Sequence, residues 1–406
     1  MNIAQGGAGT LPSHVDPARV LDFDMFGLKA VDGEYQKAIY PYTRPGSPEI
    51  FWTQSNGGHW VLVKADDIEF AMTNPTIFSA SKMFVPREKN PNPPLTPLMI
   101  DPPDHAKYKA MMAPAFAPRS VQKLGEGARE IAIELIEGFR ARGKCEFIHE
   151  FAESLPIDVF MNMVELPKSD KPMLMEIGEQ HVRPLTPQHH IDSMMQLQAY
   201  ALQKVNERRA NPGDDLISHL TRCQLDGKPL DDHALVGMVV LLLVAGLDTV
   251  AAAMGFFARF LATEVEHRRQ LIADPGLIPK AVEELMRRYA IATAGRILVQ
   301  DHDFKGVSMK AGDMVIMPTV AVSFDESRFA DPLKVDFTRN ASGHAAFSRG
   351  VHTCVGSMLA RTELRIFMEE WLARIPEFRI EPGFELQISS GTVSGIRKLP
   401  LEWDVR

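Results

Sequence analysis

The chain has 406 residues, and its 45% hydrophobic content is enough to fill a large core rather than a string of small modules. A net charge of −8 argues against a nucleic-acid partner, which needs a basic surface. Three scattered cysteines, Cys145, Cys223 and Cys354, form no CxxC pair, which disfavours a zinc ribbon or dithiol site and suits a reducing compartment.

The first residues, MNIAQGGAGTLPSH, have neither a basic n-region nor an apolar h-region, so a cytoplasmic location is expected. IFWTQSNGGHWVLV, residues 50–63, reads as a hairpin about an Asn-Gly-Gly turn. DPPDHAKYK, residues 101–109, opens a helix with His105 and Lys109 on one face. Ile131, Leu135 and Phe139 recur every four residues. Met194, Leu197, Ala201, Leu202 and Val205 form a second stripe before the break NPGDD. His189-His190 reads as a polar helix edge.

MVVLLLVAGLDTVAAAMGFFA, residues 238–258, is long enough to span a bilayer. Asp248 at its middle favours a helix buried in a soluble core, and no membrane association is expected. Residues 296–317 carry short β-rich runs broken at Lys305-Gly306 and Ala311-Gly312. A helical stripe follows over residues 362–372, then a β-rich tail after Phe378. The whole predicts one mainly α domain over residues 1–406, with a long buried central helix and small peripheral sheets. The β-richer parts lie at about 49–64, 296–317 and 378–403.

Nucleotide, HExxH and GxSxG signatures are missing from the sequence. The stretch FSRGVHTCVG, residues 347–356, is the informative one. Gly350 and Gly356 permit close backbone approach around Cys354. A helix beginning just after it, with Arg349 and His352, favours a thiolate. Local sequence leaves that thiolate open to two roles, nucleophile or metal ligand. Upstream, Ala245-Gly246-Leu247-Asp248-Thr249 puts an acid and an alcohol in an apolar helix. Thr249 bonds back to a carbonyl there, or the pair moves protons to a ligand packed on the small residues. Glu284 and Arg287 by themselves are an ordinary i,i+3 ion pair.

Taken together, Phe347-x-x-Gly350-x-His352-x-Cys354-x-Gly356 with Ala360, Glu284-x-x-Arg287, and Ala245-Gly246-x-Asp248-Thr249 closely resemble a soluble bacterial cytochrome P-450. Within that family the likeness is greatest to the camphor-hydroxylase branch. The resemblance implies haem b, iron protoporphyrin IX, held between helices, with Cys354 as the axial thiolate ligand of the iron. It implies that Phe347, Gly356, Ala245 and Gly246 pack on the haem, and that His105, Arg296 and His352 bind its propionates. Lys109 stands where the family usually has arginine, so a point charge replaces a bidentate contact. Asp248 and Thr249 correspond to the proton-delivering pair. Glu284 and Arg287 correspond to a structural network with the Arg339 region.

The implied reaction is a monooxygenation fed by O2 and by electrons from a separate 2Fe-2S ferredoxin with an NADH-dependent reductase upstream. The implied protein is a monomer, and Lys109, Arg349 and Arg361 suggest a docking face for the ferredoxin. By matching position the substrate pocket comprises Phe84, Leu98, Leu241, Val244, Ala292, Thr392 and Val393. Pro93 stands where camphor hydroxylases place a donor tyrosine, and Thr96 is the sole hydroxyl of that loop. The expected substrate is therefore a small apolar cyclic compound, a terpenoid or norisoprenoid larger than camphor. A peroxide-driven peroxygenase, a non-catalytic haem-thiolate sensor and a haem-free helical binding protein are the competing readings. The intact Asp248-Thr249 pair speaks against the first two.

Overall fold

The computed structural model describes residues 11–182 and 186–405. Its axis is the helix Asp232–Thr263, 32 residues long. Asp231 caps its start by accepting a hydrogen bond from the Ala234 N–H, which satisfies one of the donors left over in a first helical turn. This helix is apolar and long enough to cross a membrane by composition. Here it runs through the protein interior instead. Its first half supplies Leu235, Met238, Val239, Leu242 and Leu243 to one buried cluster, which they share with Leu197, Ala201, Val205, Leu216 and Ile217. Its second half, from Ala251 to Leu261, enters another cluster with Phe147, Phe151, Phe367 and Trp371.

Between these two clusters the burial lapses. Ala245 is exposed, and Val244, Gly246, Thr249 and Val250 are only half-buried, in the middle of a helix otherwise sealed on both sides. The small side chain of Ala245 leaves the backbone approachable there, whereas a Cβ on Gly246 would lie 3.1 Å from the Phe160 ring, so that glycine serves packing within the protein and not the expected haem contact.

The helix Pro118–Arg140 packs along Ser357–Arg374. The sequence stripe of Ile131, Leu135 and Phe139 marks the correct helix but not its seam. Phe139 is buried, whereas Ile131 and Leu135 sit half-buried at the edge. Ala128, Ala132 and Ile136 form the contact itself. Close approach explains the offset: a Cβ on Gly125 would lie 2.9 Å from Thr362 Cγ2, so the crossing selects small residues and displaces large ones to its flanks. On the helix Pro187–Ala210, Leu197, Ala201 and Val205 are buried as expected, and Leu202 is exposed.

The predicted hairpin forms from Ile50–Thr53 and His59–Leu62, with Trp52 opposite Trp60 and their rings 5.1 Å apart. Its turn uses left-handed backbone at Asn56, Gly57 and Gly58. A Cβ on Gly58 would sit 2.7 Å from Trp52 Cζ2, so this glycine is set by packing as well as by φ. A five-stranded sheet follows in the order Ile50–Thr53, His59–Leu62, Met314–Pro318, Thr293–Leu298 and Phe78–Ser79. Smaller sheets pair His302–Phe304 with Val307–Met309, Ile388–Ser389 with Gly395–Ile396, and Arg379–Ile380 with Pro400–Glu402 and Lys144–Glu146. The architecture is mainly α with peripheral sheets, as the sequence indicates.

Candidate active site

The cysteine loop is built from two left-handed residues, Ser348 (φ 62°) and Gly350 (φ 65°). Gly350 passes so close to the end of the helix Ala65–Thr73 that a Cβ would lie 3.2 Å from both the Met72 carbonyl oxygen and Thr73 Cγ2. A single 3-10 turn, Gly350–His352, follows. The Cys354 N–H then donates to the Phe347 carbonyl at 2.9 Å, and the helix Ser357–Arg374 begins three residues on.

The Cys354 side chain is exposed and has no disulfide partner. Surrounding atoms still push its thiol above the ordinary value through burial, while the Gly356 N–H, Lys109 and Arg361 draw it back. An exposed sulfur crowded by protein on its other sides is a thiol at the bottom of a recess. A Cβ on Gly356 would sit 3.9 Å from Sγ and 3.6 Å from the Phe116 ring, in ordinary contact with both. Phe347 lies half-buried beside the loop, with the Arg361 guanidinium 4.4 Å from its ring centroid.

Hydrogen-bond donors converge near this recess, with Asp101 the carboxylate in Coulombic reach of His105 and Arg296. The rings of His105 and His352 meet edge to face, 4.4 Å between centroids, and both residues are buried. Neither ring nitrogen of His352 has a hydrogen-bond partner among the described residues. Burial, then Arg296, His105 and Lys109, draw His352 down to about 3. Arg296 is buried as well, drawn down to about 10 by burial, with its Nη1 donating to the Gly295 carbonyl at 2.7 Å. A buried guanidinium beside an imidazole with no protein partner for either nitrogen among the described residues suits an anionic ligand. Haem propionates fit that donor set, and the recessed Cys354 thiol fits the iron.

Lys109 lies one turn along the helix Asp104–Met112 from His105 and makes a different contact. Its ammonium donates to the carbonyls of Val351 and Thr353, each at 2.7 Å. Arg349 lies 3.3 Å from Glu69, and Arg361 holds both oxygens of Glu283. The three cations expected to form a docking face are therefore all engaged within the fold.

On the central helix, Asp248 is buried, and the Thr249 hydroxyl donates to the Ala245 carbonyl at 2.9 Å. The back-bond considered from the sequence is thus present. It fixes the hydroxyl proton and leaves the Oγ1 lone pairs free to accept.

Glu284 and Arg287 are fully buried and doubly bonded, Nε to Oε2 and Nη2 to Oε1, both at 2.8 Å. Glu284 also accepts from the Asp336 N–H at 3.0 Å and Arg339 Nε at 3.3 Å. Arg287 also donates to the carbonyls of Pro332, Lys334 and Ser323.

Phe84, Leu98, Leu241 and Val244 are half-buried at the margin of one core cluster, and Val393 at the margin of the other. Ala292 bridges Val393, and the Thr293 N–H donates to the Thr392 carbonyl. Thr96 is buried, with its hydroxyl directed at the Pro94 carbonyl, 3.3 Å away. Sequence reasoning missed how this loop is seated. A Cβ on Gly237 would lie 2.3 Å from the Pro94 carbonyl oxygen, and one on Gly295 would lie 2.1 Å from that of Met83. Asn90 ties the loop to itself: Oδ1 accepts from Met83 and Phe84 N–H, and Nδ2 donates to the Phe84 and Arg87 carbonyls. A lone glycine in the apolar run before Val244 was the available signal.

A recessed cysteine after a left-handed turn, a buried guanidinium with two buried histidines beside it and a central helix carrying an acid and an alcohol define a haem-thiolate oxygenase. The family description Cytochrome P450 matches residues 272–389. "Probable cytochrome P450 127A1" of Sinorhizobium fredii is 31% identical over 401 residues, covering 97% of each chain. "Methyl-branched lipid omega-hydroxylase" of Mycobacterium tuberculosis is 28% identical over 422 residues, again covering 97% of each. The crystal structure of CYP101J2 superposes with a TM-score of 0.89 at 37% identity, over 98% of this chain and 100% of that one. That of CYP101C1 gives 0.89 at 33%, over 97% and 100%. The chain belongs to the cytochrome P450 family and is a monooxygenase that acts on a small hydrophobic substrate with O2.

Proposed function

We propose that the enzyme hydroxylates a cyclic terpenoid or norisoprenoid bulkier than camphor, oriented by shape rather than by a hydrogen bond. The observation that supports this reading is the loop of residues 83–97, seated against the central helix at Gly237. Its one hydroxyl, Thr96, is buried and engaged with its own loop backbone, and Pro93 occupies the neighbouring stretch. Without a donor the pocket forgoes about 0.5–1.5 kcal/mol of net hydrogen bonding to a ketone. Phe84, Leu98, Leu241, Val244, Ala292 and Val393 then recognise apolar surface, with Thr392 the one polar member of the set.

In this reading Cys354 ligates the iron, and His352, Arg296 and His105 hold the propionates. Phe347, Gly356 and Ala245 line the haem faces, and Gly246 does not, because it is turned onto Phe160. Bound haem b supplies the activation of dioxygen and the insertion of one oxygen atom. The chain supplies position and protons. Thr249 Oγ1, its own proton committed to Ala245, accepts a hydrogen bond from water or a protonated oxygen group in the recess. Asp248, buried in the adjoining position, carries protons to that point. Electrons come singly from a separate 2Fe-2S ferredoxin, reduced in turn by an NADH-dependent reductase, to a monomer in the cytoplasm.

The test is an optical titration of the ferric protein with camphor and with an ionone-type ketone. A low-to-high-spin shift with the larger ketone and none with camphor supports the reading. A full shift with camphor overturns it, because a donor other than the loop hydroxyl would then be orienting the carbonyl.

A further inference from the structure

We propose that Lys109 is a positioning residue for the cysteine loop, clamping the peptide that carries Cys354, and is not a propionate anchor. The proposal rests on Cys354 being the iron ligand.

The geometry is that of a two-point splint. The helix Asp104–Met112 presents His105 and Lys109 one turn apart. His105 meets the ring of His352, and Lys109 Nζ bonds the carbonyls on either side of that same residue, Val351 O and Thr353 O, at 2.7 Å each. The second carbonyl matters most, because it belongs to the peptide that joins Thr353 to Cys354. Lys109 holds that peptide by its oxygen, and the Phe347 carbonyl holds it by its N–H at 2.9 Å. A peptide plane fixed at both ends has no freedom to rotate, so the direction in which the Cys354 side chain leaves the backbone is set.

The clamp has an electrostatic side. Two carbonyls converging on one point beside a thiolate place negative ends of dipoles near a negative sulfur. The Lys109 ammonium cancels them and lies within Coulombic reach of Cys354. With two of its three N–H groups engaged on carbonyls, the ammonium contributes little to propionate binding. His352, Arg296 and His105 suffice for that, since both His352 ring nitrogens lack protein partners among the described residues. A lysine suits this place better than arginine does. A compact ammonium fits between two carbonyls of differing direction, whereas a planar guanidinium favours a flat, paired acceptor.

The experiment compares the unaltered holoenzyme with Lys109→Met and Lys109→Gln. Three quantities are read: conversion of the thiolate-ligated ferrous carbonyl band to its short-wavelength form under mild denaturant, the C–O stretching frequency, and the rate of haem transfer to apomyoglobin. With Lys109→Met the band conversion is expected to be roughly tenfold faster, as for loss of one charge-assisted hydrogen bond. The C–O stretch is expected to move to lower frequency, because a sulfur without its compensating cation is a stronger donor. Haem transfer stays within about twofold, since the propionate contacts remain. Lys109→Gln gives smaller changes of the same sign. Faster haem transfer with an unmoved C–O stretch overturns the proposal and makes Lys109 a propionate anchor, and no change in any of the three overturns it too. If the unaltered protein lacks the thiolate band, the assignment of Cys354 as ligand has failed, and the clamp with it.

Discussion

Glu284→Gln removes one charge from a pair that is wholly out of water, and the structure allows its cost to be reckoned in two ways. Breaking a buried ion pair from one side costs about 3–5 kcal/mol, because the other charge stays desolvated. Counted by bonds, Glu284 accepts from Arg287 twice at 2.8 Å, and also from the Asp336 N–H and Arg339. The two charge-assisted bonds alone amount to about 3–6 kcal/mol. The carbonyls of Pro332, Lys334 and Ser323 continue to solvate Arg287, which places the expectation at ~3 kcal/mol. Those carbonyls belong to the chain leading towards the cysteine loop, so haem content should fall together with stability. Urea unfolding followed by circular dichroism and by the Soret band measures both. The double variant Glu284→Met with Arg287→Met should cost less than the sum of the single changes, since neither charge is then left alone. A single-variant loss below about 1 kcal/mol, or strict additivity, would refute the view that most of the cost is the desolvation of the surviving charge.

Further outcomes are expected elsewhere. Glu363 is buried, and burial raises its carboxyl to about 8, so the folded state retains a proton that the unfolded state gives up. Stability then falls as pH rises from the ordinary carboxylate range towards 8. Glu363→Gln should stabilise the protein by ~3 kcal/mol near neutral pH, with a gain that grows between acidic and neutral conditions in urea titrations. His59 is fully buried and drawn down to about 4 by burial, so its effect has the opposite slope. Stability is lost as pH drops below the unfolded imidazole value, by ~2 kcal/mol at about pH 5, and His59→Gln should remove that part of the acid dependence. Thr249→Ala should reduce hydroxylated product about a hundredfold while leaving the substrate-induced spin shift in place, as measured by product yield beside optical titration. Gly237→Ala should lower the midpoint of urea unfolding well below that of the unaltered protein, because the new methyl meets the Pro94 carbonyl.

The fold was legible wherever a local pattern had one outcome. Alternation about Asn56-Gly57-Gly58 gave the hairpin, and an apolar run interrupted by Asp248 gave the central helix. The helix seam of Ala128 and Ala132 was not legible, because hydrophobic periodicity weights large side chains and a close crossing weights small ones. The same holds for individual charges. Sequence placed Lys109 on the face with His105, but its acceptors lie 242 and 244 positions away and are backbone atoms, which carry no residue signature. Arg349 and Arg361 looked like free cations for a partner because Glu69 and Glu283 are remote in sequence and adjacent in space.

If the substrate lies where proposed, the loop of residues 83–97 has a consequence for anyone wishing to change what the enzyme accepts. Gly237 and Gly295 meet it backbone to backbone, and Asn90 fastens it internally. Its height above the central helix is therefore not adjustable by side-chain choice, since any Cβ at either glycine collides with a carbonyl. Diversity introduced at Phe84, Leu98, Leu241 and Ala292 changes the volume beneath a fixed ceiling. Libraries built on those four positions should yield folded variants with graded preferences, whereas libraries that include the two glycines should lose most members to misfolding before any substrate is offered.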